Sequence, residues 1–188
     1  MSRKETFRLT GSILAHIAGT MVPFFTKIVS NYSYALKWSK AVRTADLDKL
    51  SALFRSVVPN AKLNGFSTNA IGYFFDFDFP APVLQYSVGT TIPPGSTQFT
   101  FSTPIHRAIA RALLPFYRAL KSSSCYAAAV AAAINGNQLT RLHTLLRQKI
   151  ASYALKSIEI DFTGAALSFK YKSSKFTYRH LLFREFVG

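Results

Sequence analysis

The stretch AALSFKYKSSKFTYRHLLF, residues 165–183, decides the fold of this chain. Apolar and polar side chains alternate on both sides of a short polar break, a pattern typical of two strands joined by a tight turn. If the break is a two-residue loop, Phe169 lies opposite Tyr178 in the hairpin. Lys170 then lies opposite Thr177. Cross-strand partners share a face of the sheet, so the sequence predicts one aromatic face and one cationic face.

The cationic face of this hairpin carries four positive side chains, Lys170, Lys172, Lys175 and Arg179. Like charges that lie opposite each other on a sheet repel unless water or an anion lies over them. The face is therefore either fully solvated or a surface that binds an anion, and the hairpin alone leaves both interpretations open.

Length and composition indicate a folded protein with an unusual charge. The chain has 188 residues, of which 49% are hydrophobic, and it contains 17 Phe and 9 Tyr. That apolar content is enough for a core and argues against intrinsic disorder. Lys and Arg total 23 against 8 Asp and Glu, which gives a formal net charge of +15. A field of this sign attracts phosphate polymers and anionic membrane surfaces.

The order of the predicted elements indicates one α+β domain over residues 1–188. Helices are expected in 6–58, strands in 70–102, helices in 103–156 and strands in 157–184. Strands that follow one another through short turns pair in antiparallel fashion. The expected architecture is an antiparallel sheet of about five or six strands covered by about four to six helices.

The sequence also predicts the boundaries of the first helix, a turn segment and three strands. A first helix from about Thr6 to Met21 should end or kink at Pro23, because proline removes a backbone donor. Asn60 to Asn69 is interpreted as a polar turn segment. Three strands are predicted after this turn, at Ile71–Phe79, Val83–Val88 and Thr97–Phe101.

Side-chain positions follow from the same periodicities. A helix over Gln138–Lys156 should bury Tyr153. The lone Cys125, in an alanine-rich helix, is expected to be a packed thiol, and His106 is expected to add polar surface. The aromatic side chains predicted to pack against the helices are Phe75, Phe77, Phe99, Phe169, Tyr171 and Phe176.

The clearest helix begins at Thr103-Pro104, because threonine suits the cap and proline the first helical position. Its cations fall in a narrow stripe at helical spacing, Arg107, Arg111, Arg118 and Lys121. A basic stripe on an amphipathic helix can lie along a phosphate backbone, on a membrane surface or in water. The sequence leaves these three alternatives open.

Half of the acidic residues lie in two strand dyads, Asp76 with Asp78 and Glu159 with Asp161. Spacing of two along a strand points both carboxylates of a dyad to the same face. If the two strands were neighbours, four carboxylates would converge and could hold Mg²⁺ for cleavage of a phosphodiester. The alternative is that the acidic side chains only provide the polar outer face of the strands.

The N-terminal region combines basic residues with an apolar run, which suggests a signal peptide or a membrane span. The run is interrupted by Gly11, His16, Gly19 and Pro23 and ends at Lys27, so neither is convincing. We expect the protein in the cytoplasm or within a particle or assembly. The lone cysteine fits a reducing compartment without requiring one.

No catalytic pattern emerges from the sequence beyond the acidic dyads. Glycine-rich phosphate loops, the nucleophile elbow, and the histidine and cysteine spacings of zinc sites do not occur. The leading hypothesis is a non-enzymatic binding or assembly protein without a cofactor, whose partner is an anionic polymer. We expect that polymer to be nucleic acid bound without sequence preference, and the protein could be a self-assembling homo-oligomeric subunit. The alternatives are a membrane-surface protein and a magnesium-dependent nuclease.

Overall fold

Antiparallel strands form the sheet on which the rest of the chain is built. The computed structural model describes residues 8–81, 83, 85–161 and 163–184. Within these ranges the elements are α1 (Gly11–Ser30), α2 (Tyr32–Arg43), α3 (Leu47–Arg55), β1 (Leu63–Thr68), β2 (Gly72–Asp78), β3 (Gln85–Thr91), α4 (Thr103–Ser122), α5 (Ser124–Asn135), α6 (Leu139–Arg147), β4 (Leu155–Asp161), β5 (Gly164–Lys170) and β6 (Thr177–Phe183). This is the single α+β domain that the sequence predicts.

The sheet has the strand order β1-β2-β3-β6-β5-β4, and each neighbouring pair is antiparallel. Two groups of consecutive strands, β1–β3 and β4–β6, therefore meet where β3 pairs with β6. In β2, Tyr73, Phe75 and Phe77 are fully buried and alternate with side chains that point the other way. We call the side with these three aromatics the core face and the opposite side the outer face. Ring contacts from the helices reach the core face, for example from Phe24 to Phe75.

The hairpin of β5 and β6 has the register that the sequence predicts. Phe169 pairs with Tyr178, and Lys170 pairs with Thr177. Both strands end at that second pair, so residues 171–176 form a longer tip than the predicted two-residue loop. The two aromatics of the first pair are buried, as expected for the core face.

Helix α1 lies over the middle of the core face and packs mainly against α4. The ring of Phe24 is 5.2 Å from that of Phe75 on β2, and the ring of Phe25 is 5.9 Å from that of His180 on β6. Among the described residues, α1 is the one helix whose length and composition would suit a membrane span, and half of that stretch is buried. A core helix of a soluble fold passes the same test, so this is weak support for a span.

The first helix does not end before Pro23, as its predicted boundary at Met21 required, because α1 continues to Ser30. Proline removes one hydrogen bond, to the carbonyl of Gly19. Apolar side chains on both sides of the proline, including Met21 and Ile28, are fully buried. The packing of these side chains stabilises the helix although one backbone hydrogen bond is missing.

Two strand predictions in the first half of the chain are also wrong. Residues 63–68, interpreted as a turn, form β1, because Phe66 pairs with Phe75 and packs against α3. Residues 97–101, interpreted as a strand, are irregular. Phe99 has a φ of +48° and is 66% exposed. Strand β3 pairs with β2 on one side and β6 on the other, so residues 97–101 have no free edge of β3 to pair with.

Helix α5 packs closely on α1, as its small side chains predict. Gly11 lies against the backbone of Ala127 and Ala128, with no room for a side chain. Cys125 is exposed, so the prediction of a packed thiol is wrong. It lies outside the helical stripe that faces the core, which consists of Ala127, Val130, Ala131, Ala133 and Ile134.

Two histidines are fully buried between α4 and the sheet. His106 Nε2 lies 2.8 Å from the hydroxyl oxygen of Tyr73, and His180 contacts two further hydroxyl groups. The prediction that His106 adds polar surface is wrong. Helix α4 packs against α1, α2 and α5, so it buries a wider face than its narrow apolar stripe suggests.

Candidate nucleic-acid interface

Of the four cations in the predicted basic stripe of α4, one has a structural role and three are exposed. Arg111, Arg118 and Lys121 are exposed along the helix. Pro115 is exposed between the two arginines, at helical spacings of four and three residues, so these side chains share one face. This face is the part of the predicted stripe that can contact a partner.

Arg107 has a different role, because its guanidinium is bonded to the C-terminal end of α1. Nε donates to the carbonyl of Ile28 (3.2 Å), and Nη2 donates to that of Val29 (2.6 Å). The guanidinium also lies 5.3 Å from the ring centroid of Tyr32. Carbonyls at a helix C-terminus lack intrahelical donors and carry partial negative charge. Arg107 therefore joins α1 to α4 and is not a free contact for a polymer.

The four predicted cations of the hairpin also fall into two kinds, exposed ones and ones bonded within the fold. Lys172 and Lys175 are exposed at the tip, whereas Lys170 Nζ donates to the backbone carbonyl of Lys175. Arg179 lies on the outer face, where its Nη2 is 3.0 Å from Oε2 of Glu159. The hairpin therefore presents free positive charge at its tip and not along its whole length.

The tip of the hairpin and helix α4 meet at a cleft of about 360 Å³. We call it the basic-aromatic cleft. Helix α4 contributes Arg111 and Pro115, and the hairpin tip contributes Tyr171. The segment between α6 and β4 contributes Lys149 and Tyr153. None of its described lining residues is acidic, so two cations and two tyrosines share one surface without a compensating charge in the lining.

The segment between α6 and β4 is held in place from both ends. Arg147, at the end of α6, donates from Nη1 to the carbonyl of Ser152 (3.2 Å) and from Nη2 to that of Leu155 (2.7 Å). The carbonyl of Ala154 accepts a hydrogen bond from the backbone N–H of Lys170 on β5 (2.8 Å). These bonds fix the short loop that carries the cleft side chains.

The exposure of the Tyr153 side chain contradicts the sequence prediction that it is buried. Helix α6 ends at Arg147 and does not continue to Lys156, so the helical spacing that placed Tyr153 inside does not apply. The side chain is 76% exposed, the most exposed of the large apolar and aromatic residues in the described part of the chain. An aromatic ring this exposed at the edge of a cleft is free to contact a ligand.

Tyr171 and Lys149 are more firmly placed. Burial raises the pKa of the Tyr171 hydroxyl, while a hydrogen bond with Ser152 and the charge of Arg111 act in the opposite direction. Tyr171 is partly buried and packs against the core, as predicted. The ammonium of Lys149 lies 5.6 Å from the ring centroid of Tyr126, whose hydroxyl donates to the carbonyl of Leu145. Tyr171 and Lys149 are thus held by contacts with the rest of the fold, whereas the Tyr153 side chain is exposed at the rim of the cleft.

The outer face of the sheet carries an apolar band. Phe74 lies over Gly89, where a side chain would collide with its ring, and Leu181 pairs with Gly89 on the next strand. The rings of Phe74 and Phe183 meet edge to face, with centroids 6.2 Å apart. We call Phe74, Leu181 and Phe183, which are all partly exposed, the apolar band.

The predicted acidic dyads lie on this outer face, on either side of the apolar band, and do not converge. β2 carries one dyad and β4 the other, and β3, β6 and β5 lie between them. At about 4.8 Å per strand the dyads are about 19 Å apart. The condition for a magnesium site, that the two strands are neighbours, is therefore not met. The four residues are Asp76, Asp78, Glu159 and Asp161.

Individual contacts of these carboxylates agree with a structural role. Asp76 Oδ1 accepts a hydrogen bond from Ser87 Oγ (2.5 Å), and Glu159 is paired with Arg179. Among the described residues, no group of three or more His, Cys, Asp or Glu side chains could hold a metal ion.

Comparison of the chain with protein families, with curated proteins and with solved structures finds no match. The sequence identified Arg111 and the hairpin but missed Lys149 and Tyr153. No local signal marks this loop, because residues 148–154, QKIASYA, contain no Gly, Pro, Asn or Asp.

Proposed function

We propose that this protein binds nucleic acid through the phosphate backbone, without sequence preference, and that it does so as a binding protein and not as an enzyme. The observation that carries the proposal is the basic-aromatic cleft, where Arg111 and Lys149 come together with no acidic residue in the described lining. Two cations on one concave surface can contact successive phosphates of a strand.

The surroundings of the cleft extend the same charge. Arg118 and Lys121 continue along the exposed face of α4, and Lys172 follows Tyr171 at the hairpin tip. The formal net charge of +15 attracts a polyanion from a distance and accelerates its association. A backbone track of this kind carries no base-specific information, which supports binding without sequence preference.

Binding to a fluorescent oligonucleotide tests the proposal. The double variant Arg111→Ala/Lys149→Ala should bind at least tenfold more weakly than the wild type, because each lost phosphate contact removes a counterion-release contribution. The matched control is Arg55→Ala/Lys62→Ala, which removes the same charges from exposed positions near β1, at the opposite edge of the sheet. Equal losses in the two double variants would mean that only net charge matters and that the cleft is not the site.

The membrane alternative has less support in the fold. Its two predicted elements were the N-terminal helix and the stripe of α4, and α1 is packed into the core with Ile17, Met21 and Phe24 fully buried. A membrane interaction would have to use α4 alone. Flotation with anionic but not with neutral vesicles, lost in the Arg118→Ala/Lys121→Ala variant, would be the result in its favour.

Self-association is a second candidate function, and the apolar band is the observation that favours it. A six-stranded sheet with strands of about seven residues presents a face of about 24 Å by 20 Å. That area, roughly 480 Å², is smaller than the roughly 800 Å² that each partner contributes to a standard interface, so the contact between copies would be weak. The carboxylates beside the band are complementary to the basic surface of a second copy, so we propose head-to-tail contact between copies.

Sedimentation velocity over a range of protein concentrations tests this second candidate. Leu181→Arg, in the apolar band, should shift the protein toward the monomer, and high salt should act in the same direction. Leu36→Arg places the same charge on α2, where Leu36 is 43% exposed, and should leave the distribution unchanged. A wild type that stays monomeric at every concentration would contradict the proposal.

A further inference from the structure

The basic-aromatic cleft contains a feature that phosphate binding does not require. Tyr153 is 76% exposed, and Tyr171 stands close enough for the two tyrosines to influence each other electrostatically. A single exposed aromatic ring is common on protein surfaces and does not by itself indicate a ligand, but Tyr153 lines the same cleft as two cations. The exposed ring of Tyr153 thus lies beside the partly buried Tyr171 and the cations Arg111 and Lys149, and this combination calls for a ligand that offers more than phosphates.

Single-stranded nucleic acid is such a ligand. A single strand exposes the flat faces of its bases, and proteins bind it by stacking bases on aromatic side chains while cations follow the backbone. A duplex hides these faces inside its base stack and offers mainly phosphates to such a surface. The combination of rings and cations in one cleft therefore matches the chemistry of a single strand better than that of a duplex.

We infer that the basic-aromatic cleft binds single-stranded nucleic acid in preference to duplex, with a base stacked on Tyr153 and the adjoining phosphates held by Arg111 and Lys149. The inference rests on the proposed function and adds the class of nucleic acid to it. Helix α4 also contributes Pro115 and the small side chains of Ala108 and Ala112 to the described lining, which contains no acidic residue.

The size and construction of the site agree with this ligand. The cleft, with a volume of about 360 Å³, is open to solvent, so a base can enter it beside Tyr153. Arg147 fixes the carbonyls of Ser152 and Leu155 on either side of the Tyr153 loop. The ring is thus presented from an anchored segment, which limits the entropy lost when a base binds.

The test compares one oligonucleotide of about 12 nucleotides, within the usual site sizes, with its duplex at the same salt concentration. Tyr153→Ala should weaken binding of the single strand by about 5- to 150-fold, because stacking contributes about 1–3 kcal/mol per base. Binding of the duplex should change less than about twofold. Tyr153→Phe keeps the ring and should bind the single strand like the wild type.

The control for a lost exposed aromatic is Phe99→Ala, since Phe99 is 66% exposed and does not line the cleft. It should leave both affinities unchanged. Because Tyr153 and Phe99 are largely outside the core, neither substitution should lower the melting temperature by more than a few degrees. A bromouracil-substituted strand, irradiated in complex with the wild type, should cross-link to the peptide that contains Tyr153.

Failure of this inference is distinguishable from failure of the proposed function. If Arg111→Ala/Lys149→Ala loses binding while Tyr153→Ala binds both probes like the wild type, the phosphate site stands and base stacking is refuted. If Tyr153→Ala weakens single strand and duplex equally, the preference for single strands is refuted. If the wild type binds neither probe at low salt, the proposed function fails, and the inference fails with it.

Discussion

The hydroxyl oxygen of Tyr117 on α4 lies 2.6 Å from Nε2 of His180 on β6, in the middle of the core. The other ring nitrogen of His180, Nδ1, is 2.9 Å from the hydroxyl oxygen of Thr90 on β3. Hydroxyl groups can either donate or accept, so both nitrogens of a neutral imidazole are satisfied at this place. The contact joins the helical layer to the seam between the two strand groups.

This relationship makes the stability of the protein sensitive to acid. Burial lowers the pKa of His180 to about 3, and burial followed by the influence of His180 lowers the pKa of His106 to about 3. Both values lie below the value of about 6.5 for an unfolded chain. Between about pH 3 and about pH 6.5, therefore, the unfolded state binds more protons than the folded state. Stability is therefore complete above about pH 6.5 and is lost as the pH falls from there toward 3.

Urea unfolding at pH 6 and pH 5 measures this effect. Each buried histidine contributes a slope of about 1.4 kcal/mol per pH unit, so the free energy of unfolding should fall by about 2 to 3 kcal/mol over this interval. A wild-type slope near zero would mean that the two buried rings accept protons in the folded state.

Two glycines of α1 should respond in opposite ways to the same substitution. Gly11→Ala should destabilise the protein by about 1–3 kcal/mol, because the added methyl group meets the backbone of Ala127 and Ala128. Gly19→Ala should stabilise it by about 0.5–1 kcal/mol, because nothing lies within 4 Å of the added carbon. Thermal unfolding of the two variants checks this prediction, and equal effects would contradict the close approach of α1 and α5.

Substitutions of Arg107 and Arg118 should show that stability depends on one of these arginines and binding on the other. Arg107→Ala removes two hydrogen bonds to the end of α1 and should lower the free energy of unfolding by about 1.5–3 kcal/mol. Arg118→Ala, at an exposed position of the same helix, should change stability by less than about 0.5 kcal/mol. Urea titrations and oligonucleotide binding should then rank the two variants in opposite order, with Arg118→Ala the weaker binder.

The hairpin register could be predicted because a tight turn and strict alternation leave few ways to pair Phe169 with its partner. Sheet order could not be predicted, since it depends on which strand edges meet after both strand groups have formed. That is why the acidic dyads looked like a possible site in the sequence and lie about 19 Å apart across the sheet. The same pairing of β3 with β6 left no place for a strand at 97–101.

The candidate site was predictable only in part, for a related reason. The stripe of α4 follows from helical spacing, but Arg107 is bonded to a carbonyl end that lies 78 residues earlier in the chain. Tyr153 was assigned to a helix because apolar residues recur at helical spacing up to Ile150. The hydrogen bonds of Arg147 end that helix early, and no local pattern in the sequence announces them.

The central claim is that Arg111 and Lys149 neutralise phosphates, and the salt dependence of binding tests it most directly. The logarithm of the association constant for a single strand should fall linearly with the logarithm of salt concentration, with a slope of about −0.7 per neutralised phosphate. Arg111→Glu/Lys149→Glu should flatten the slope by about 1.4 or more, while Arg55→Glu/Lys62→Glu should leave it close to that of the wild type. A wild-type slope near zero, or the same slope in both double variants, would contradict the account.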